Sequence, residues 1–130
     1  AIENGIDGFV AVNTTTARPQ PTSTRSRRAF SESGGLSGAP LKERSLEIIR
    51  LVYKRAGNNY PIVGVGGIDG PQSAWDAITS GATLLQLYSA LVFNGPAVVK
   101  KTIRGLKRRL QQEGIVNLHD AIGIFSDNNR

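Results

Sequence analysis

Three short apolar runs divide the chain, and a segment of helical periodicity follows each. The runs are Gly8–Val12, ending at Asn13; Pro61–Val65, ending at Gly66-Gly67; and Thr83–Tyr88. Unbroken apolar runs of this length, in place of an alternating pattern, predict parallel strands buried on both faces. Across Leu41–Ala56, the residues Leu41, Ser45, Ile48, Ile49 and Val52 recur at spacings of three and four. That stripe predicts a helix, and Gly57-Asn58-Asn59 supplies a stop tolerant of positive φ. A second helix is predicted to open near Pro71, a residue suited to the first helical turn, and to end at Gly81. A third is predicted from Pro96, with Val99, Ile103, Leu106 and Leu110 as its inward stripe. Its opposite face carries Lys100, Lys101, Arg104, Lys107 and Arg108.

Strand–helix alternation of this kind predicts an α/β layer fold, either doubly wound or a (β/α) barrel. One segment breaks the regularity. Asn13 to Pro40 has no periodicity and is rich in Ser, Thr, Pro and Arg, so residues 14–35 are expected to form a long polar loop. Its far end, Gly34-Gly35-Leu36-Ser37-Gly38, is dense in glycine, which permits close approach of backbone to a ligand. Residues 124–130 are expected to be a flexible tail.

Composition narrows the function. At 130 residues, with 39% hydrophobic and 20% charged positions, the chain suits one folded unit and not a disordered one. The absence of Cys excludes disulfides, thiolate nucleophiles and Cys-ligated metals. No apolar stretch reaches 18 residues, and Ala1–Gly8 is not read as a signal peptide. The net charge of +6 raises nucleic-acid binding, through Arg18–Arg28 and the basic face from Lys100 to Arg109. Aromatic residues make up only 6%, and a basic outer helix face is ordinarily just solvated, so no nucleic-acid partner is expected. The single His, His119, lies late in the chain and reads as a surface residue, which leaves no nucleophile triad.

In parallel α/β folds ligands bind at the C-terminal ends of the strands. There the chain places Asn13-Thr14-Thr15, then Gly66-Gly67, then Tyr88-Ser89. Each group alone is an ordinary turn former. Together they offer amide, hydroxyl and bare backbone N–H groups that suit an anion such as phosphate. The glycines make neither a dinucleotide fingerprint, since Asp69 stands where the last Gly is required, nor a Walker A pattern. No metal site is expected.

Four motifs carry a family resemblance: DGFVAVNTTTARP at Asp7–Pro19, SGGLSGAPL at Ser33–Leu41, IVGVGGIDGPQSAWDAITSGA at Ile62–Ala82, and LLQLYSALVFNGP at Leu84–Pro96. In these the chain resembles the C-terminal part of the quinone-dependent (class 2) dihydroorotate dehydrogenases, weakening only after about Gly123. The family fold is an FMN-containing (β/α)8 TIM barrel, and such barrels need roughly 250 residues. The resemblance therefore implies about the last three strand–helix units of one barrel domain. It implies FMN contacts at Gly38, Gly67, Tyr88 and Ser89, with Val12 beside the flavin where relatives often carry Thr. It implies orotate contacts at Asn13 and Thr14. The implied reaction is oxidation of dihydroorotate to orotate, with a quinone as final acceptor, in pyrimidine biosynthesis. The base, the quinone site and the membrane-associating helices are expected outside this chain, so no catalytic residue is assigned within it, and the chain by itself is expected to be inactive. Membrane association is implied only for the whole enzyme. Two other readings stay open: another FMN- or phosphate-binding barrel oxidoreductase, and a small basic nucleic-acid-binding module.

Overall fold

A computed structural model describes residues 2–126. Three parallel strands form one sheet in the order β1-β2-β3: β1 (Phe9–Ala11), β2 (Ile62–Val65) and β3 (Leu84–Gln86). Phe9, Val10 and Ala11 pair with Ile62, Val63 and Gly64, while Val63, Gly64 and Val65 pair with Leu84, Leu85 and Gln86. Among the described residues five α-helices accompany the sheet: α1 (Thr24–Ser31), α2 (Lys42–Ala56), α3 (Pro71–Thr79), α4 (Ser89–Asn94) and α5 (Ala97–Glu113).

Side chains alternate across a strand, so this register sorts them into two faces. Ala11, Ile62 and Gly64 lie on the face toward α2 and α3, in a core with Ile49, Ala74, Ala77 and Ala82. The room there is tight: a Cβ on Gly64 would stand 2.9 Å from the Ala82 Cβ and 3.1 Å from the Ile49 Cδ1. The other face is open, with Val10 69% and Leu84 58% exposed. Burial on both faces, expected from the unbroken apolar runs, is therefore corrected. An apolar run records which residues could be buried, whereas helices cover only one side of this sheet.

The helices begin and end where their local chemistry dictates. Gly57 closes α2 at φ +61°, donating its N–H to the Tyr53 carbonyl. Pro71 opens α3, and the Ser73 hydroxyl accepts the N–H groups of Asp69 and Gly70 at 2.9 and 3.1 Å. At the end of α5, Gly114 adopts a left-handed conformation, and Ile115 N–H donates to the Leu110 carbonyl at 2.9 Å, a Schellman closure.

Three further expectations are corrected. The 14–35 stretch is not loop throughout: α1 sits inside it, started by a reciprocal pair in which Ser23 Oγ accepts Ser26 N–H and Ser26 Oγ accepts Ser23 N–H. A capping box can start a short helix without an apolar stripe, and it was the stripe that was missing. In α5 the inward residues are Val98 and Thr102, with Gly105, Leu106 and Leu110 half-buried, while Val99 and Ile103 are 42% and 62% exposed. The helix is rotated because Gly105 packs directly on Pro71, which draws that side inward. The tail is docked as far as Ser126: Gly123 N–H donates to the Ile78 carbonyl and Phe125 N–H to that of Thr79. Residues 127–130 lie outside the described residues.

The α3–α5 contact yields a prediction. A Cβ on Gly105 would overlap the Pro71 ring. Ala normally gains about 1 kcal/mol over Gly inside a helix, but overpacking costs about 1–3 kcal/mol. Gly105→Ala is expected to destabilise the chain by about 1 kcal/mol net, read from urea unfolding. A stabilised variant would show that the two helices can part freely.

Candidate functional site

All three strands point the same way, so the segments leaving their C-terminal ends share one rim. They are Val12–Thr14 after β1, Gly66-Gly67 after β2, and Tyr88-Ser89 leading into α4. Leu36–Leu41, the approach to α2, forms the fourth side. Between them lies a cleft of about 890 Å³. Each candidate from the sequence (Val12, Asn13, Thr14, Gly38, Gly67, Tyr88 and Ser89) lines it.

The walls fit closely. Val12 N–H donates to the Val65 carbonyl at 3.0 Å, tying the β1 exit to β2. The Ser45 hydroxyl donates to the same carbonyl at 2.8 Å, tying α2 to it as well. Gly38 has φ +82°, and a Cβ there would stand 3.6 Å from the Ser89 hydroxyl oxygen, so the two turns are neighbours. Gly67 has φ +71°, and a Cβ there would stand 2.6 Å from the Cα of Lys42 at the start of α2. No residue with a side chain fits at that point. Asn13 Oδ1 accepts the Thr14 N–H at 2.7 Å, which leaves the Asn13 amide N–H groups available to a ligand.

Despite the net charge of +6, no Lys or Arg lines this cleft. Lys42, beside Gly67, is engaged by Asp76 at 2.9 Å. Asp69 is the one carboxylate of the lining, and its Oδ1 accepts the Ser73 hydroxyl at 2.8 Å. No side chain caps the N-terminus of α2 or of α4. An anion here would thus be held by backbone N–H groups and hydroxyls and not by a side-chain cation. Among the described residues no group of three or more His, Cys, Asp or Glu side chains is placed to hold a metal ion.

Two residues inside the quoted motifs have packing roles that the motif reading did not assign. Gly35 sits so close to Thr14 that a Cβ would overlap the threonine hydroxyl. Arg18 is half-buried and donates to main-chain carbonyls on both arms of the 15–36 excursion. Carbonyl acceptors leave no trace in a sequence, and nothing there sets Arg18 apart from Arg25, Arg27 and Arg28 in the same polar stretch.

A family model described as dihydroorotate dehydrogenase matches residues 1–110. The dihydroorotate dehydrogenase (quinone) of Streptomyces coelicolor is 47% identical over 123 residues, covering 95% of this chain and 33% of that protein. The protein of the same description from Natronomonas pharaonis is 44% identical over 120 residues, covering 92% of this chain and 33% of its own length. A crystal structure of DHODH from Eimeria tenella in complex with ferulenol superposes with a TM-score of 0.87 at 35% identity, over 97% of this chain and 33% of that one. The three strand–helix units are thus of the kind that builds that barrel, and the chain spans about a third of the length of the relatives it matches.

Proposed function

Because the chain belongs to the dihydroorotate dehydrogenase family, we propose that it supplies the FMN-phosphate rim and part of the substrate pocket of an enzyme oxidising dihydroorotate to orotate, with a quinone as electron acceptor. The observation that carries this reading is the convergence of all seven candidate residues on one cleft.

The cleft suits a flavin mononucleotide. Gly38 and Gly67 bring side-chain-free backbone to its wall, and Ser89 adds a hydroxyl beside Gly38. These hold the phosphate, while Tyr88 and Val12 bound the flavin. When bound, FMN supplies the acceptor for the hydride leaving C6 of dihydroorotate. The chain's own part is to bind and orient. Asn13 donates its amide N–H groups to the carbonyl or carboxylate oxygens of the pyrimidine, and its Oδ1, which accepts Thr14 N–H, keeps a second lone pair for a ring N–H. The Thr14 hydroxyl gives a second directional contact. No residue of this chain is assigned to remove the C5 proton. Asp69 and Tyr88 are the titratable side chains of the lining; Asp69 is committed to Ser73, and Tyr88 is 74% exposed.

Quinone reduction and membrane association belong to the same proposal. Among the described residues no helix is long and apolar enough to cross a membrane.

The test joins the chain in frame to the preceding two-thirds of the Streptomyces coelicolor relative and assays that fusion. It is expected to bind FMN and to reduce a quinone with dihydroorotate. Asn13→Ala in it should weaken orotate binding by about 10–100-fold, the loss of charge-assisted hydrogen bonds to a bound anion, while FMN stays bound. Unchanged orotate affinity in that variant would remove Asn13 from the pocket.

A further inference from the structure

We infer that Arg18 is a positioning residue that sets Asn13 and Thr14 for substrate by clamping the backbone of the excursion between Thr15 and Leu36. The inference rests on the functional reading above and adds a determinant of substrate affinity that lies outside the cleft lining.

The excursion leaves the rim immediately after Thr14 and returns at Leu36, holding α1 on the way. Two backbone hydrogen bonds close its stem: Thr15 N–H to the Leu36 carbonyl at 3.1 Å and Leu36 N–H to the Thr15 carbonyl at 2.7 Å. A single bridge of this kind is a weak tie, because an isolated two-stranded pairing is marginal in water.

Arg18 provides the rest. Its Nη1 donates to the Thr15 carbonyl at 3.1 Å and its Nη2 to the Gly34 carbonyl at 2.6 Å, so one guanidinium grips both arms next to the stem. Its Nε donates to the Phe30 carbonyl at 3.2 Å, fixing the end of α1 to the same group. Longer contacts reach Ala17 and Glu32. All these acceptors are main-chain carbonyls, and among the described residues Arg18 joins no ion pair. The cation is spent on organising backbone. Only a planar fork of five donors can do this, since the acceptors diverge around it.

The consequence reaches the cleft through Gly35. With the Gly34 carbonyl held, Gly35 lies flat against Thr14, leaving no room for a Cβ, and Leu36–Gly38 runs on along the cleft wall. Thr14 is thereby fixed between the β1 exit on one side and the returning arm on the other. Asn13, bonded to Thr14 N–H, follows. The Gly67 turn follows β2 and packs on the head of α2.

The experiment compares Arg18→Ala, Arg18→Lys and Asn13→Ala in the fusion for ligand binding, and in the full chain for amide exchange. Arg18→Ala is expected to weaken orotate by at least ~10-fold and FMN by less than that, since Gly67 and Ser89 lie outside the clamped arm. Thr15 and Leu36 amides should exchange at least ~10-fold faster, with Phe9 and Val12 amides, bonded to the β2 strand and its entry, unchanged. Arg18→Lys should behave like Arg18→Ala, because a single ammonium cannot span both arms. Added guanidinium ion should restore orotate affinity to the Ala variant, which a merely unfolded chain would not show. Orotate binding kept by both Arg18 variants but lost by Asn13→Ala overturns the clamp and leaves the functional reading intact. Orotate binding unaffected by any of the three overturns both.

Discussion

Gly67→Ala is expected to cost the protein its flavin: about a 100-fold loss of FMN affinity, together with about 2–5 kcal/mol of stability. Two independent penalties coincide at this residue. At φ +71° any side chain is strained by about 1–2 kcal/mol. The new Cβ would also stand 2.6 Å from the Cα and 2.7 Å from the backbone N of Lys42. Those are backbone atoms at the start of a helix, so no rotamer change relieves the contact, and overpacking adds about 1–3 kcal/mol. Either the Gly66-Gly67 turn or the head of α2 must move. Both are anchored, the turn through Val65, which Val12 and Ser45 hydrogen-bond, and α2 through the Lys42–Asp76 ion pair. Whichever yields, the backbone proposed to meet the phosphate is displaced. Losing one or two charge-assisted hydrogen bonds corresponds to about 100-fold in affinity. Flavin-fluorescence quenching in the fusion reads the first effect, and urea unfolding the second. An FMN affinity within threefold of wild type would show that the phosphate is held elsewhere.

The sequence made the framework legible where periodicity and burial share a cause. Ile49 and Ser45 recur at helical spacing and are buried under β2, so α2 could be placed from its stripe. The rim was legible for a topological reason: parallel strands put whatever follows them at one end, which is why Asn13, Gly67 and Ser89 meet although 76 residues separate the first from the last. What failed depended on orientation and not on pattern. Val99 and Ile103 have the right spacing, but a missing side chain at Gly105 decides which side of α5 approaches α3. Helix α1 is set by hydroxyl-to-backbone bonds between Ser23 and Ser26, in a segment whose composition says loop. The role of Arg18 was not legible for the reason it works, since it binds carbonyls that every residue carries.

Gly81→Ala is expected to be the most damaging single change remote from the cleft, about 2–6 kcal/mol, and its coupling to Tyr53 shows why. Tyr53 projects from α2 into a slot between Gly81, at φ +122°, and Gly123, at φ +74°; its hydroxyl hydrogen-bonds Asn58 Oδ1 at 2.9 Å. A Cβ on either glycine would overlap the tyrosine, but at different depths. At Gly81 it meets the Tyr53 Cβ and Cγ, the root of the side chain, which no rotation can withdraw. Strain of about 1–3 kcal/mol and overpacking of about 1–3 kcal/mol therefore add. At Gly123 it meets Cε1, Cζ and the hydroxyl, the far end of the ring, which can swing outward. Gly123→Ala should thus lose only about 2–3 kcal/mol, from left-handed strain and the displaced ring. Tyr53→Ala keeps its own Cβ in the path of residue 81 while clearing the space beside residue 123. In that background Gly81→Ala should retain most of its penalty, whereas Gly123→Ala should fall to its backbone strain of about 1–2 kcal/mol. Urea unfolding of the three single and two double variants measures both couplings. Additive behaviour at Gly123, within about 0.5 kcal/mol, would mean that the ring does not occupy the slot between the two glycines.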